Sequence, residues 1–198
     1  MKKKILVIGL ALTMLCATGC ETQEPGPAVS ENALSVAQEI ANGVSQNVIP
    51  AEALEYYTLA YTIPDGFVRN ADSTDTLDVY FSEQVGDYSY ITYMRQENDG
   101  SKDYSKLTGA DYKAALDEAL AVDTVIESIQ RIPGDGNMHV KVLFSYTTES
   151  GKIEVAEHIF ITDKYVFEMV YGRDPEFDWK KAFAESEGSL RLVNVAQK

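Results

Sequence analysis

The chain has 198 residues, of which 17 are lysine or arginine and 31 are aspartate or glutamate, so its formal net charge is −14. Because binding to phosphate backbones requires clustered basic side chains, this acidity argues against a nucleic-acid partner. The two cysteines, Cys16 and Cys20, lie near the N-terminus, which excludes a disulfide within the rest of the chain and a zinc site of Cys and His ligands.

The N-terminal residues have the pattern of a bacterial lipoprotein signal peptide. Lys2–Lys4 precede the apolar run Ile5–Leu15, which is too short to span a hydrocarbon core of roughly 30 Å. Small residues then lead into Cys20. We predict a signal peptide over residues 1–19, and acyl chains on Cys20 that hold the exported protein at the cell membrane or the outer membrane. A plain signal without lipidation is the alternative, because Ala17 replaces the usual leucine.

A linker and a short helix are predicted next. Residues 20–31 are polar and contain two prolines and a glycine, which is typical of a flexible linker. We expect residues 32–198 to form a single domain with its core over about 55–193. Its first element is a short N-terminal helix, predicted by apolar residues at helical spacing: Leu34, Ala37, Ile40, Ala41 and Val44.

Three strands follow, each predicted by alternation of apolar and polar residues. The first runs from Tyr57 to Ile63 and ends at the turn residues Pro64-Asp65-Gly66. The second contains Leu77, Val79 and Phe81, with Tyr80 on its other face. The third is Tyr88–Arg95, in which Tyr90 and Tyr93 point to opposite faces.

A helix from Gly109 to about Ala121 is the clearest helical element. Thr108 is suited to cap it, and Asp111 lies in the first turn, where the helix dipole favours an acid. The side that we expect to be buried carries a helical stripe of Tyr112, Ala115, Leu116, Ala119 and Leu120.

The C-terminal half predicts an antiparallel meander and a final helix. The strands contain residues 125–129, 140–146, 153–161 and 165–171, with short turns between them. For the helix, Asp174 is the predicted cap and Pro175 the first residue.

The order of elements predicts an α+β fold, with an antiparallel sheet of about six to seven strands packed with two main helices. One strand face carries Val140, Val142, Phe144 and Tyr146, and one face of the next strand carries Ile153, Val155, Ile159 and Ile161. We expect the helices around Leu116 and Phe183 to cover these faces. His139 and Lys141 would then lie on the opposite, wetter face.

One segment resembles a known family. Tyr61-Thr62-Ile63-Pro64-Asp65-Gly66-Phe67 is similar to the strand and Pro-x-Gly-aromatic opening of PsbP-like domains, a family that includes the extrinsic subunit P of photosystem II and many small bacterial lipoproteins. The order of elements is similar over about residues 55–193, including a final helix with an aromatic at Phe183. The resemblance implies a binding or assembly module and carries over no catalytic residue. A ferredoxin-like or cystatin-like arrangement shares most of this pattern.

Few residues suggest chemistry. His139 and His158 are the two histidines; a His-His-carboxylate site with Glu154 or Glu157 is one interpretation, and partly exposed strand histidines are the favoured one. Asp72, Asp75 and Asp78 recur every third residue, but this spacing does not match a calcium loop. A solvated acidic loop is therefore favoured there. The 12 tyrosines suit either a binding surface or packing beneath the helices, and packing is favoured.

We therefore predict no catalytic residue, no metal site and no cofactor, and Cys20 is the one functional residue that the sequence assigns. The predicted function is that of a membrane-anchored, non-enzymatic binding or assembly module. A protein or a small ligand of the cell envelope is the expected partner. The alternative is a cell-envelope hydrolase whose working groups are carboxylates, which requires two acids facing one cleft.

Overall fold

A computed structural model of the chain describes residues 57–134 and 137–194. The predicted signal peptide, linker and short N-terminal helix lie outside these residues. The described part has nine strands and two helices. In chain order they are β1 Tyr57–Ala60, β2 Phe67–Arg69, β3 Leu77–Ser82, β4 Tyr90–Glu97, α1 Gly109–Leu120, β5 Thr124–Gly134, β6 Asn137–Thr148, β7 Gly151–Ile161, β8 Tyr165–Arg173, α2 Lys180–Ser189 and β9 Arg191–Asn194.

Seven strands form one antiparallel sheet in the order β2-β3-β4-β8-β7-β6-β5. β1 and β9 form a separate antiparallel pair, in which Tyr57 lies opposite Asn194. The meander β5-β6-β7-β8 follows from the short turns between these strands. β8 pairs with β7 on one side and with β4 on the other, so it is the central strand of the sheet.

The prediction of an α+β fold is wrong, because strands dominate the molecule. Strands make up 49% of the structure, and the described residues contain only two helices. The helices have 12 and 10 residues, whereas β5, β6 and β7 have 11, 12 and 11 residues. The hairpins are this long because the alternating pattern continues through both strands up to each turn. The protein is a mixed fold built around its sheet.

The first face of the sheet is the one that the alternation of β6 and β7 predicts. Val140 lies opposite Ile159, and Phe144 lies opposite Val155. All four side chains are buried. α1 covers this face with its own apolar stripe, which includes Leu116. The register of these strands is therefore confirmed.

The second face carries a separate core, and here one prediction is wrong. Phe183 of α2 packs on this side with Phe167 and Tyr171 of β8, so the two helices cover opposite faces instead of sharing one. The β1–β9 pair completes the cover through Leu59. The face that carries Lys141 is thus opposite to α1, as expected, but it is packed against a second layer. The reason is that β8 is apolar on both sides and requires cover on both.

The helix starts show why one prediction held and the other failed. Thr108 caps α1 as predicted: its Oγ1 accepts a hydrogen bond from the Asp111 amide at 3.3 Å, and Asp111 accepts one from the Thr108 amide at 2.7 Å. Asp174 instead closes a separate turn by accepting from the Glu176 amide. α2 begins after Trp179, whose indole N–H donates to Asp87 at 2.5 Å. This long-range contact sets the start of the helix.

The turn at Gly66 depends on glycine. Its φ of +89° lies in the left-handed region, and a Cβ there would approach the ring of Trp179 to 3.0 Å. Gly172 of β8 is more restricted, since a Cβ would lie 2.0 Å from the ring of Tyr90. At both positions the absence of a Cβ atom lets an aromatic ring pack directly against the backbone.

Replacing Phe144 with alanine should lower the free energy of unfolding by about 3–5 kcal/mol, because the ring is 2% exposed and its removal leaves a cavity. Val125→Ala is the control on the edge strand, where the side chain is 57% exposed, and it should change stability by about 0.5 kcal/mol or less. Urea unfolding followed by circular dichroism measures both. Equal effects of the two substitutions would show that the α1 face is not the core.

Candidate functional site

The two histidines meet on the α2 face of the sheet. His139 on β6 and His158 on β7 are hydrogen bonded, with 3.0 Å between Nε2 of the first and Nδ1 of the second. The His139 ring also stacks on Phe160, which lies directly opposite it on β7, with ring centroids 4.3 Å apart. His158 is buried. The expectation of partly exposed strand histidines therefore holds for His139 and is wrong for His158.

A carboxylate from α2 completes this group. Glu187 Oε2 lies 2.9 Å from His158 Nε2 and accepts a hydrogen bond from Lys141 Nζ at 2.6 Å. The predicted carboxylate partners are wrong: Glu154 pairs with Arg173, and Glu157 lies on the α1 face. We call the four residues His139, His158, Glu187 and Lys141 the histidine chain.

Glu187 accepts hydrogen bonds from two members of the histidine chain. Burial alone would raise the pKa of Glu187, but the hydrogen bonds from His158 and Lys141 outweigh burial and lower the pKa. Glu187 is therefore a carboxylate and accepts from His158 Nε2. The direction of the hydrogen bond between His139 Nε2 and His158 Nδ1 depends on the tautomers of the two rings. Burial, followed by the nearby positive charges, lowers the pKa of His139 to about 4.

A shallow groove of about 290 Å³ lies beside the histidine chain, between α2 and the sheet. We call it the α2 groove. Leu143 and Ala156 contribute apolar atoms to it. Its charged side chains include three acids and three bases: Glu127, Glu154, Glu187, Lys141, Arg173 and Lys180. Arg173 is paired with Glu154, and Lys141 is paired with Glu187. These side chains are therefore already positioned by contacts within the chain, before any binding partner arrives.

The α1 face hides a second group of charges that the sequence analysis missed. Glu157 and Glu168 are 3% and 2% exposed and lie on the same face as Val155 and Ile159. Burial raises the pKa of both carboxyl groups. The signal was present in the sequence, because each glutamate occupies an inward position of its strand.

The other residues that the sequence singled out have structural roles. Asp78 accepts hydrogen bonds from the Tyr61 hydroxyl at 3.0 Å and from Arg69 Nε at 2.7 Å. Asp72 is exposed and accepts from Asn70. Within residues 57–134 and 137–194, no group of three or more His, Cys, Asp or Glu side chains could hold a metal ion.

Packing accounts for most of the tyrosines that the structure describes. Tyr90 belongs to the core beneath α1 and Tyr93 to the core beneath α2, so their predicted opposite orientation is confirmed. Tyr88, which precedes β4, is an exception, because its side chain is 38% exposed. Neither of the described helices is long and apolar enough to cross a membrane.

No family model and no curated protein matches the chain. Among solved structures, cyanobacterial PsbP from Synechocystis sp. PCC 6803 is similar, with a TM-score of 0.53 and 10% identity over 76% of this chain and 98% of that one. The Ran-binding protein Mog1p of Saccharomyces cerevisiae gives a TM-score of 0.43 and 9% identity over 69% and 90% of the two chains. A Pseudomonas aeruginosa protein of unknown function gives 0.40, with 12% identity over 72% and 99%. The first similarity shows a PsbP-like fold.

The partly buried ring of His139 should titrate near pH 4, as its pKa of about 4 requires, instead of near the ordinary 6.5. Because the folded ring binds its proton less readily than the unfolded chain, the free energy of unfolding should fall as the pH drops from about 6.5 towards 4. An NMR titration of the imidazole gives the pKa, and urea unfolding at several pH values gives the stability.

The control for this titration is His139→Phe, which keeps an aromatic ring on Phe160 but removes the ionisable group. Its stability should depend less on pH over the same interval. A midpoint for His139 at its ordinary value would contradict the burial and hydrogen bonding described here.

Proposed function

We propose that the protein is an exported lipoprotein, acylated at Cys20, whose domain is a non-enzymatic binding or assembly module for a protein of the cell envelope. The signal-peptide pattern before Cys20 supports the export and the anchor. The PsbP-like fold supports the module, and the α2 groove is the surface that we assign to the partner.

The shape and charge of the α2 groove carry this proposal. At about 290 Å³ the groove lies at the lower limit of cavities that enclose small molecules, which are about 300–1,000 Å³. Its acidic and basic side chains are equal in number and partly paired with each other, as in Arg173 with Glu154. A shallow polar surface with preorganised side chains suits contact with another protein surface.

The positions of the carboxyl groups argue against the hydrolase alternative. Hydrolysis by two carboxyl groups needs one ionised and one protonated group facing the same cleft. In the α2 groove Glu187 is ionised, because its hydrogen bonds lower its pKa. The carboxyl groups with raised pKa, Glu157 and Glu168, lie beneath α1 on the opposite side of the sheet. This separation favours binding over hydrolysis.

Replacing Cys20 with alanine should move the protein from the membrane fraction to the soluble fraction, because the acyl chains are then lost. Cys16→Ala is the matched control, since Cys16 lies within the predicted signal peptide, and it should leave the protein at the membrane. Fractionation after a high-salt wash, followed by immunoblotting, measures both. A Cys20→Ala protein that stays in the membrane fraction would contradict the anchor.

A photo-crosslinking amino acid at position 180, at the exposed start of α2, should yield a discrete adduct of higher mass in intact cells. The matched control is position 72, which is also exposed but lies before β3, far along the sheet from the α2 groove. Gel electrophoresis and mass spectrometry of the adducts give the result. Similar adducts at both positions, or none at position 180, would count against the α2 groove as the partner surface.

A further inference from the structure

The carboxyl groups of Glu157 and Glu168 lie close together beneath α1. Val170 is opposite Glu157 and Ile159 is opposite Glu168, so the two glutamates are diagonal neighbours on adjacent strands and share one face. Both are almost completely enclosed. Enclosed carboxylates need a cation or hydrogen-bond donors, because removing them from water is costly.

The chain supplies a cation of its own. Lys102 belongs to the segment between β4 and α1, and its Nζ atom has almost no contact with solvent. The ammonium lies 5.1 Å from the centroid of the Tyr104 ring, where the ring face attracts a cation. Burial raises the pKa of both glutamates, and the charge of Lys102 offsets part of this rise. The charge of Lys102 thus acts on both carboxyl groups.

Further hydrogen-bonding atoms remain around this site. Glu157 Oε2, Thr92 Oγ1 and the Tyr112 hydroxyl are buried and have no hydrogen-bond partner within the described part of the chain. Thr92 lies in the same cross-strand row as Glu157, with Val170 between them. Burial raises the pKa of Tyr112, and the negative charges of Glu157 and Glu168 add to this rise. These oxygens match the three donors of a primary ammonium.

A groove of about 280 Å³ lies along α1, and we call it the α1 groove. Lys102 and Tyr112 form part of its wall, so the ammonium that faces the glutamates also borders the groove. Apolar atoms come from Leu107, Ala114 and Ala115, and acidic groups from Asp111 and Glu118. The α1 groove thus combines apolar side chains with the carboxyl groups of Asp111 and Glu118.

We propose that Glu157 and Glu168 form a binding site for a primary ammonium group, which Lys102 fills in the free protein and which a short aliphatic diamine enters along the α1 groove. One ammonium of the diamine replaces that of Lys102, the methylene groups contact Leu107 and Ala115, and the second ammonium pairs with Glu118. This site lies on the face opposite the α2 groove and does not depend on the function proposed for that groove.

The probes are putrescine, n-butylamine and 1,4-butanediol, added to the purified protein with thermal unfolding and calorimetry as the measurements. Putrescine should raise the melting temperature, because a ligand that binds only the folded state stabilises it, and the diol should have no effect. Lys102→Ala should bind n-butylamine about tenfold or more tightly than the wild type, since no internal ammonium has to be displaced.

Four further variants test the assignment of each group. Glu157→Gln and Glu168→Gln keep the side-chain shape and should each weaken putrescine binding about tenfold or more, the scale of a lost charged hydrogen bond. Glu118→Gln should weaken putrescine but leave n-butylamine unchanged. Glu149→Gln, in the exposed turn between β6 and β7, is the control for general attraction of cations to an acidic protein and should change neither.

Two results would overturn the proposal. One is the absence of any amine-dependent stabilisation in both the wild type and Lys102→Ala. The other is amine binding that persists unchanged in Glu157→Gln and Glu168→Gln, which would place the amines elsewhere on the acidic surface. The wild-type titration remains decisive on its own if Lys102→Ala does not fold.

Discussion

The burial of β8 on both of its faces is the constraint that organises this molecule. Seven consecutive residues of the strand, from Val166 to Gly172, are buried, and β4 beside it is buried over its first five residues. A strand of this kind cannot leave one face to water, so each side of the sheet needs its own cover. α1 provides it on one side, and α2 with the β1–β9 pair provides it on the other. Tyr171 illustrates the fit, because its ring packs against Phe183 and its hydroxyl meets Ser186 at 3.0 Å.

Double cover also explains why polar side chains are enclosed on both sides. Each helix is narrower than the strip of sheet beneath it, so each leaves a groove at its flank. Polar residues of β6, β7 and β8 that would face water in a two-layer protein come to lie under a helix instead. On the α2 side they find partners within the chain, as His158 does in Glu187. On the α1 side two carboxyl groups share one nearby ammonium, which is why the two faces suit different kinds of contact.

Local signals predicted the elements whose determinants are local. The cap of α1 depends on Thr108 and Asp111, three residues apart, and the faces of β6 and β7 follow from strict alternation. The start of α2 could not be found in this way, because the Asp174-Pro175 pattern fits both a helix start and the turn that it makes. The contact that sets the start of α2 joins Trp179 to Asp87, and these two residues are far apart in the sequence.

The candidate sites were hidden for a related reason. Alternation tells which residues share a face, but it does not tell whether that face meets water or a second layer. His139 and Lys141 were assigned to the correct side, yet their environment depends on α2, whose Glu187 is 46 residues from Lys141. Glu157 and Glu168 stand at inward positions, and a charged residue there is itself a sign of a buried polar group. Very short strands such as β2 and β9 leave too few residues for a pattern to be recognised.

The pairing of β1 with β9 has a mechanical consequence. β1 and β9 are the first and last of the described strands, and Tyr57 lies opposite Asn194. Any load that reaches the domain through the preceding residues is therefore applied first to a ribbon of four residue pairs, outside the seven-stranded sheet. Such a ribbon can peel away while the hydrogen bonds of the sheet stay intact, so it would act as the first mechanical yield point. Peeling would also uncover the core beneath α2, because Tyr57 and Leu59 belong to it, so tension on the N-terminal side would reach this core before it reaches the sheet.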